Sequence, residues 1–183
     1  GVKGISMFLV PKYLVNADGS LGAKNDLRCV GTEHKLGIHG SPTCAMSFGD
    51  NGGAIAYLVG QPNRGLEYMF IMMNEARFGV GVQGIGIGER AYQQALAFAK
   101  ERVQGRDTVS GAVGKPIIHH PDVKRMLLSM RARILAMRAL ALTAAGWFDV
   151  ARHSPDQAAA DKARRYVDLL MPVVKGWCTE TCQ

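Results

Sequence analysis

The chain has 183 residues, of which 48% are hydrophobic and 20% charged, as in an ordinary globular protein with one domain or two small ones. Its 22 Lys and Arg residues against 15 Asp and Glu residues give a net charge of +7, which favours polyanionic partners such as nucleic acid, anionic lipid or a phosphate-rich cofactor. The basic residues fall mainly after residue 100, and no run is dense enough, or interleaved with enough aromatic residues, to form a nucleic-acid motif.

The four cysteines, Cys29, Cys44, Cys178 and Cys182, do not make the disulfide framework of a small secreted protein. A reduced, cytoplasmic setting is therefore expected. Cys178 and Cys182 are spaced i, i+4 on one helix face and would bind a metal only with two further ligands from elsewhere, so we interpret them as buried small residues and expect no metal site.

The start of the chain does not resemble a signal peptide. The start, Gly1-Val2-Lys3-Gly4, leads straight into a strand-like run, and no uninterrupted apolar stretch reaches the roughly 18–20 residues of a membrane span. We expect no signal peptide and no membrane span. The absence of an initial methionine suggests a trimmed or excised segment.

Short β-prone runs punctuated by turn residues dominate the first 60 or so positions. Asn16–Ser20 and Gly49–Gly53 are turn clusters. Four strands are predicted: Gly4–Val10, Leu27–Val30, Thr43–Phe48 and Ala54–Val59. The natural assembly is an antiparallel sheet or a piece of a barrel whose outer strands are missing, because four short strands scarcely make an independent sandwich.

From Leu66 onward the apolar residues recur at a spacing of three to four, which predicts three long helices, over residues 65–102, 121–153 and 155–181. Pro121 and Pro155 suit first helical turns, so His120 and Ser154 are the predicted N-caps. This order of strands followed by helices indicates an α+β fold with two segregated layers.

Two features interrupt the helical half. Pro172 should kink the third helix or mark a break, because its ring removes one hydrogen bond and crowds the preceding turn. The linker over residues 103–116 is rich in Gly, Ser and Thr and is predicted to be an exposed, mobile loop.

The run Gly79-Val80-Gly81-Val82-Gln83-Gly84 satisfies the G-x-G-x-x-G pattern of dinucleotide-binding sites. That pattern requires a preceding strand and a helix that begins at the glycines, whereas the residues from Leu66 to Phe78 already read as helix. Instead, the glycines at 81, 84 and 88 share one helix face, so they permit close approach of a neighbouring helix or of a flat ligand.

Several segments together resemble the acyl-CoA dehydrogenase family. His34–Thr43 followed by Ala45–Phe48 resembles the stretch in which a K-x-G-x-x-x-S-x-T turn leads into the last strands of the β-domain. Pro62–Leu66 stands before a long helix, as in the family. Further elements follow in the family's order: Asn74–Arg77 as D-x-x-R, Ala91–Ala95 with Glu101-Arg102 as R-A-L-x-x-A…A-x-x-R, Val103–Gly105 as the R-x-Q-F-G turn, and Pro116–Val123 as P-I-x-x-x-Q.

The resemblance implies the end of a middle β-domain (residues 1–62) followed by a helical C-terminal domain (residues 63–183), whose three-helix up-down bundle is part of a four-helix bundle. It implies an FAD-dependent oxidation of an acyl-CoA thioester to a trans-2-enoyl-CoA, with a glutamate as base. It also implies an electron-transfer acceptor and a homo-oligomer built through the helical domain.

Carried over residue by residue, the resemblance places Asn74 and Arg77 near the acyl-CoA site, with Met73 lining the acyl pocket. Arg102 and Gln104 would approach the FAD of a neighbouring subunit, where the planar fork of arginine suits pyrophosphate oxygens. No catalytic residue is expected within this chain. Trp177–Glu180 resembles the helix before a Q-x-x-G-G flavin motif, and Glu180 lacks the loop context of the base.

Four departures stand out: Gly105 follows Gln104 directly where the family has phenylalanine, the linker to residue 116 is longer than usual, Pro121 replaces a flavin-contacting glutamine, and Asn74 replaces the commoner aspartate. They resemble a bacterial branch that acts on larger or unusual acyl groups, such as the methylmercaptopropionyl-CoA dehydrogenases.

The alternative is a non-catalytic helical assembly or binding module related to the family. Under it, Arg77 is an ordinary surface or ion-paired residue, Arg102 is favoured by the helix dipole, and Asn74 is solvated. In either case, three histidines are more simply interpreted as turn or cap residues than as catalysts: His39, His119 and His120. Six methionines at helical spacing are interpreted as core residues: Met69, Met72, Met73, Met126, Met130 and Met137.

Overall fold

The computed structural model describes residues 4–183, so residues 1–3 of the predicted β-domain lie outside the described residues. The chain divides into two compact units, the first ending at Phe70 and the second comprising Ile71–Gln183. The α+β prediction is confirmed. The elements are β1 (Met7–Leu9), β2 (Tyr13–Val15), β3 (Leu21–Lys24), β4 (Leu27–Thr32), β5 (Cys44–Phe48), β6 (Tyr57–Val59), α1 (Gly65–Glu101), α2 (Pro121–His153) and α3 (Gln157–Thr181).

In the first unit, the strands form three two-stranded antiparallel ladders: β1 with β6, β2 with β3, and β4 with β5. Each of the four predicted strands is present, as β1, β4, β5 and β6. The hairpin of β2 and β3 was not predicted, although its turn at Asn16–Ser20 was. Both strands are short, with three and four residues, and their apolar side chains Val15 and Leu21 are exposed. The two strands therefore lack the alternation of buried apolar and exposed polar residues that marks a half-buried strand.

A buried amide connects these hairpins. Asn25 is 6% exposed, and its Nδ2 donates to the carbonyl oxygens of Pro11 (2.9 Å) and Ile55 (2.8 Å). Its Oδ1 accepts from the backbone N–H groups of Ile55 and Asp26, each at 2.9 Å. The side chain therefore uses both its donor and its acceptor groups to join the β1–β2 connection, the β3–β4 connection and the segment before β6.

In the second unit, α2 runs antiparallel to α1 and α3 runs parallel to it. Phe78 of α1 packs edge-on against Phe148 of α2, with ring centroids 6.0 Å apart. Trp147 of α2 stacks on Tyr166 of α3 at 4.5 Å. The shared core contains the residues Ile85, Ile134, Met137, Ala141, Ala144, Val167, Met171, Val174 and Cys178. The predicted three-helix up-down arrangement is confirmed.

The glycine-rich run of α1 is the contact between α1 and α3. A Cβ on Gly81 would lie 2.6 Å from Cγ1 of Val174, and a Cβ on Gly84 would lie 2.8 Å from the carbonyl oxygen of Cys178. Gly88 is also near α3, with its Cβ position 3.6 Å from Cβ of Cys182. The run lies within one continuous helix, so the prediction of a helix-packing motif is confirmed and the dinucleotide interpretation is wrong.

The helix boundaries hold closely at α2 and less well at α3. The prediction that Ser154 caps the third helix is wrong: Ser154 ends α2, donating its N–H to the Val150 carbonyl oxygen at 3.1 Å. Asp156 is the N-cap of α3, and its carboxylate accepts from the Ala158 N–H at 2.9 Å. His120 occupies the N-cap position of α2, as predicted, without a capping bond from its side chain.

α3 continues through Pro172, so the break considered there is absent. The methionines divide: Met137 is buried, as predicted, whereas Met72 and Met126 are 60% and 53% exposed, so a core role is wrong for those two. Helical spacing alone does not separate a core face from a face without a partner helix.

The linker over residues 103–116 is largely exposed, as predicted, and folds around one buried carboxylate. Asp107 is 7% exposed and accepts from the Val109 N–H at 3.0 Å and from the Ser110 hydroxyl. These bonds, the Ser110 hydroxyl first, lower the pKa of Asp107 from 3.8 to about 2.

By length and composition alone, α2 could cross a membrane. An 18-residue window within it has a mean hydropathy of 1.4, and 22% of that window is buried. Core helices of soluble proteins meet the same criterion, so this is weak evidence. The expectation of no membrane span considered only uninterrupted apolar runs and stays a prediction.

Candidate functional site

The residues predicted to bind acyl-CoA lie in the first half of α1. At 100° per residue, Met73, Asn74 and Arg77 share the face of α1 that carries Gly81 and Gly84, which is the face toward α3. All three side chains are half-buried. A long apolar side chain, an amide and a guanidinium therefore stand together beside the α1–α3 contact.

Asn74 is held by a partner that no local pattern indicates. Its Nδ2 lies 3.3 Å from Oδ1 of Asp168 on α3, so the amide donates to a carboxylate across the helix pair. The amide of Asn74 is half-buried and has this one partner among the described residues, so its interpretation as a solvated side chain stays a prediction. Asp168 was missed because 94 positions separate the two residues, and only the parallel packing of α1 on α3 brings them together.

A hollow on the side of α1 that faces α2 was also missed. It is lined by Glu75, Phe78, Ala145, Phe148, Asp149 and Arg152. Glu75 pairs with Arg152, whose guanidinium lies 5.6 Å from the Phe148 ring centroid. Both charged side chains are more than half exposed, so the ion pair contributes at most about 1 kcal/mol to stability. We therefore interpret this ion pair as a structural contact between α1 and α2.

The residues predicted to contact flavin stand at the other end of α1. Nη2 of Arg102 donates to Oε1 of Gln104 at 3.3 Å, and the Ile117 N–H donates to the Arg102 carbonyl at 2.7 Å. Nε2 of His120 lies 2.9 Å from the Gln104 carbonyl oxygen and donates to it in the tautomer protonated at Nε2. The alternative of a turn and cap role for His120 agrees with this contact.

Gly105 explains the missing phenylalanine of the turn. Its φ is +72°, a conformation that glycine adopts without steric cost and that a phenylalanine would adopt only with strain. The departure from the family pattern is therefore built into the local backbone.

The donors at this end fit a pyrophosphate-bearing cofactor. Arg102 and Gln104 are both exposed, so their side chains are accessible to a ligand outside the chain. A guanidinium offers a planar fork of N–H donors and the amide adds a further donor, which suits anionic oxygens. The described residues could hold one part of such a ligand from one side.

The two sets of residues do not converge. Arg77 and Arg102 are separated by about 37 Å of α1, at about 1.5 Å per residue. That distance is greater than the hydride-transfer contact of a flavin with its substrate allows. The two sets of candidate residues are therefore well separated along α1.

The turn that carries the family pattern in the first unit is closed by its lysine. Nζ of Lys35 donates to the carbonyl oxygens of Ile38, at 2.9 Å, and of Ser41. The Glu33 N–H donates to the Thr43 carbonyl oxygen at 2.8 Å at the base of the loop. The K-x-G-x-x-x-S-x-T pattern thus has a structural explanation within this unit.

Comparison with known sequences gives consistent relatives. Residues 63–171 match the model of the acyl-CoA dehydrogenase C-terminal domain. The chain is 52% identical to the 3-methylmercaptopropionyl-CoA dehydrogenase of Ruegeria pomeroyi over 98% of its length. It is 38% identical to a butyryl-CoA dehydrogenase of Syntrophomonas wolfei over 97% of its length. In both cases it spans 30% of the relative.

Solved structures share the fold. ACDH-11 of Caenorhabditis elegans, determined with C11-CoA, superposes over 100% of this chain and 28% of that chain, with a TM-score of 0.77 and 23% identity. The butyryl-CoA dehydrogenase of Megasphaera elsdenii covers 85% of this chain and 38% of that chain, with a TM-score of 0.58 and 24% identity. Since the family model matches more than half of the sequence, the chain belongs to the acyl-CoA dehydrogenase family.

Proposed function

We propose that this chain is part of an FAD-dependent acyl-CoA dehydrogenase and supplies two partial sites to it. The observation that carries the proposal is the family membership of residues 63–171 together with the two donor sets at the ends of α1. Flavin, when bound, accepts the hydride removed from the acyl β-carbon. The residues of this chain bind and orient the ligands around that step.

Met73, Asn74 and Arg77 form one wall of the acyl-CoA site in this proposal. Arg77 offers charge and hydrogen bonds to a thioester ligand, and the Asn74 amide is oriented by Asp168. The departures from the family pattern and the identity with the Ruegeria pomeroyi relative support a 3-methylmercaptopropionyl or similarly unusual acyl group as substrate.

Arg102 and Gln104 contact flavin bound to a neighbouring subunit. The separation of about 37 Å along α1 supports this assignment, because the two sets of residues are too far apart to hold the same part of one ligand. The protein is therefore proposed to act as a homo-oligomer joined through its helical domain, with an electron-transfer protein as acceptor of the reducing equivalents.

The catalytic base lies outside these 183 residues in this proposal. Glu180 is an exposed carboxylate within the last turns of α3, not in a loop that closes over a ligand. The chain by itself is therefore expected not to dehydrogenate acyl-CoA. Turnover of an acyl-CoA by the purified chain with FAD and an artificial electron acceptor would refute this expectation.

Flavin retention separates the enzyme from the alternative of a helical assembly module. The chain is incubated with FAD, passed through a desalting column, and its absorbance near 450 nm is compared with that of the R102A variant. Colour retained by the parent chain and reduced in R102A supports a surviving cofactor contact. Colourless protein that still forms oligomers favours the assembly module.

A further inference from the structure

Two cysteines project from the same face of the β4–β5 hairpin. In the ladder, Cys29 pairs with Met46 and Cys44 pairs with Thr32. Residues two apart on a strand point to the same face, so Cys44 and Met46 lie on one side, and Cys29, opposite Met46, joins them. The two cysteines are therefore diagonal neighbours on one face.

A bulge lies in the ladder between them. The register shifts between Cys29 and Gly31, which leaves Val30 as an extra residue on β4 and bends that strand. The side chain of Cys29 is also the largest cause of the raised pKa of Cys44, which agrees with the diagonal placement of the two thiols. Sγ of Cys29 also lies 3.2 Å from the Gly31 carbonyl oxygen.

Access distinguishes this pair from the cysteines of α3. Cys29 and Cys44 are both exposed and reduced, whereas Cys178 is buried and Cys182 is half-buried. Burial raises the pKa of the Cys178 thiol, which makes it a poor nucleophile. An oxidant in solution can therefore reach the β-hairpin pair directly.

We infer that Cys29 and Cys44 form a reversible redox pair that is oxidised to an intramolecular disulfide by a low-molecular-weight disulfide such as oxidised glutathione. The Cys29 thiolate attacks the external disulfide, forms a mixed disulfide and releases one thiolate, which takes up the Cys29 proton. The Cys44 thiolate then attacks Sγ of Cys29, and the second external thiol leaves with the Cys44 proton. Two protein thiols are oxidised and one external disulfide is reduced.

The order of the two attacks follows from the contacts. Because its pKa is raised, Cys44 remains protonated to a higher pH than an ordinary thiol, so Cys29 is the entering nucleophile. Lys35 opposes the rise in the pKa of Cys44, and this favours the thiolate for the second attack. The disulfide would close the base of the loop over residues 33–43, alongside the Glu33–Thr43 hydrogen bond.

Peptide mapping tests the inference, which does not depend on the proposed function. Trypsin separates the two residues into the peptides Cys29–Lys35 and Leu36–Arg64, whereas Cys178 and Cys182 share the peptide Gly176–Gln183. The folded chain is equilibrated with oxidised and reduced glutathione, quenched with alkylating agent and digested. We expect these two peptides linked to each other, a mass lower by about 2 Da than their separate sum, and loss of the link in dithiothreitol.

Two single-cysteine variants, and the same reaction repeated in urea, test whether the folded hairpin brings the thiols of Cys29 and Cys44 together. C29S and C44S should each accumulate a stable glutathione adduct on the remaining hairpin cysteine, because the second attack is missing. In the wild-type chain, the ratio of linked peptides to adducts should be at least about tenfold higher than in urea, where only chain connectivity favours closure. Adducts on both cysteines without the link, or a ratio unchanged by urea, would overturn the inference.

Discussion

A single absent Cβ decides how closely two helices of this protein pack. Replacing Gly84 by alanine would place a methyl group 2.8 Å from the Cys178 carbonyl oxygen, a backbone atom that cannot rotate away. We expect Gly84→Ala to lower the free energy of unfolding by about 1–3 kcal/mol, since overpacking outweighs the gain in helix propensity. Urea denaturation of both proteins measures the difference.

Gly86 provides the matched control at the residue scale. It lies in the same helix two positions on, and a Cβ there would meet nothing within 4 Å. Gly86→Ala should therefore stabilise the chain by about 0.5–1 kcal/mol through helix propensity alone. If both variants changed stability in the same direction by similar amounts, the close contact of α1 and α3 at Gly84 would be contradicted.

Single-residue features could be predicted from the sequence where they depend only on neighbouring residues of the same helix. The 3–4 spacing of Gly81, Gly84 and Gly88 sufficed to predict a close helix contact, because the spacing itself defines a helix face. The bond from Asn74 to Asp168 could not be predicted, since it depends on the relative rotation and shift of α1 and α3. The candidate site residues were found through family resemblance.

Among the elements, the linker over residues 103–116 has the most pronounced titration behaviour. The pKa of Asp107 falls from 3.8 to about 2 on folding, first through the Ser110 hydroxyl. A depressed pKa means that the stabilisation of the linker is fully present above about pH 3.8 and is lost as the pH falls toward 2. A carbon-detected NMR titration of the Asp107 carboxyl should give a midpoint near 2.

Ser110→Ala gives the corresponding variant for the linker. Removal of the hydroxyl should move the midpoint of Asp107 upward toward 3.8, because the largest cause of the shift is lost while the Val109 backbone bond remains. An Asp107 midpoint that is the same in both proteins would show that the hydroxyl does not hold the carboxylate. Asp107→Asn controls for the assignment, as it removes the titrating group.

Some boundaries of the helices and strands could be predicted from the sequence and others could not. α2 ends at His153, as predicted, and β4 and β5 begin within one residue of their predicted starts. At the start of α3, Ser154 and Asp156 are both good caps two residues apart. The choice between them depends on the path of the α2–α3 connection, where Ser154 already closes α2.

At the scale of the whole molecule, the fold class followed from the change of hydrophobic period near Leu66, which is a property of the sequence alone. The pairing of the strands into three separate ladders could not be predicted in this way, because each of several short, exposed strands could pair with more than one partner distant in sequence. The chain spans 30% of the length of the two relatives compared above, so the activity of the whole protein is a proposal.

The central claim is that the two ends of α1 serve different ligands. In the flavoenzyme of which this chain is proposed to be part, the most direct measurement compares FAD dissociation constants and acyl-CoA KM values of Arg77→Ala and Arg102→Ala. We predict that Arg102→Ala weakens FAD binding by about tenfold to a hundredfold with little change in KM, and that Arg77→Ala does the reverse. The proposal would be contradicted if both variants weakened the binding of the same ligand, or if neither variant changed the FAD dissociation constant or the acyl-CoA KM.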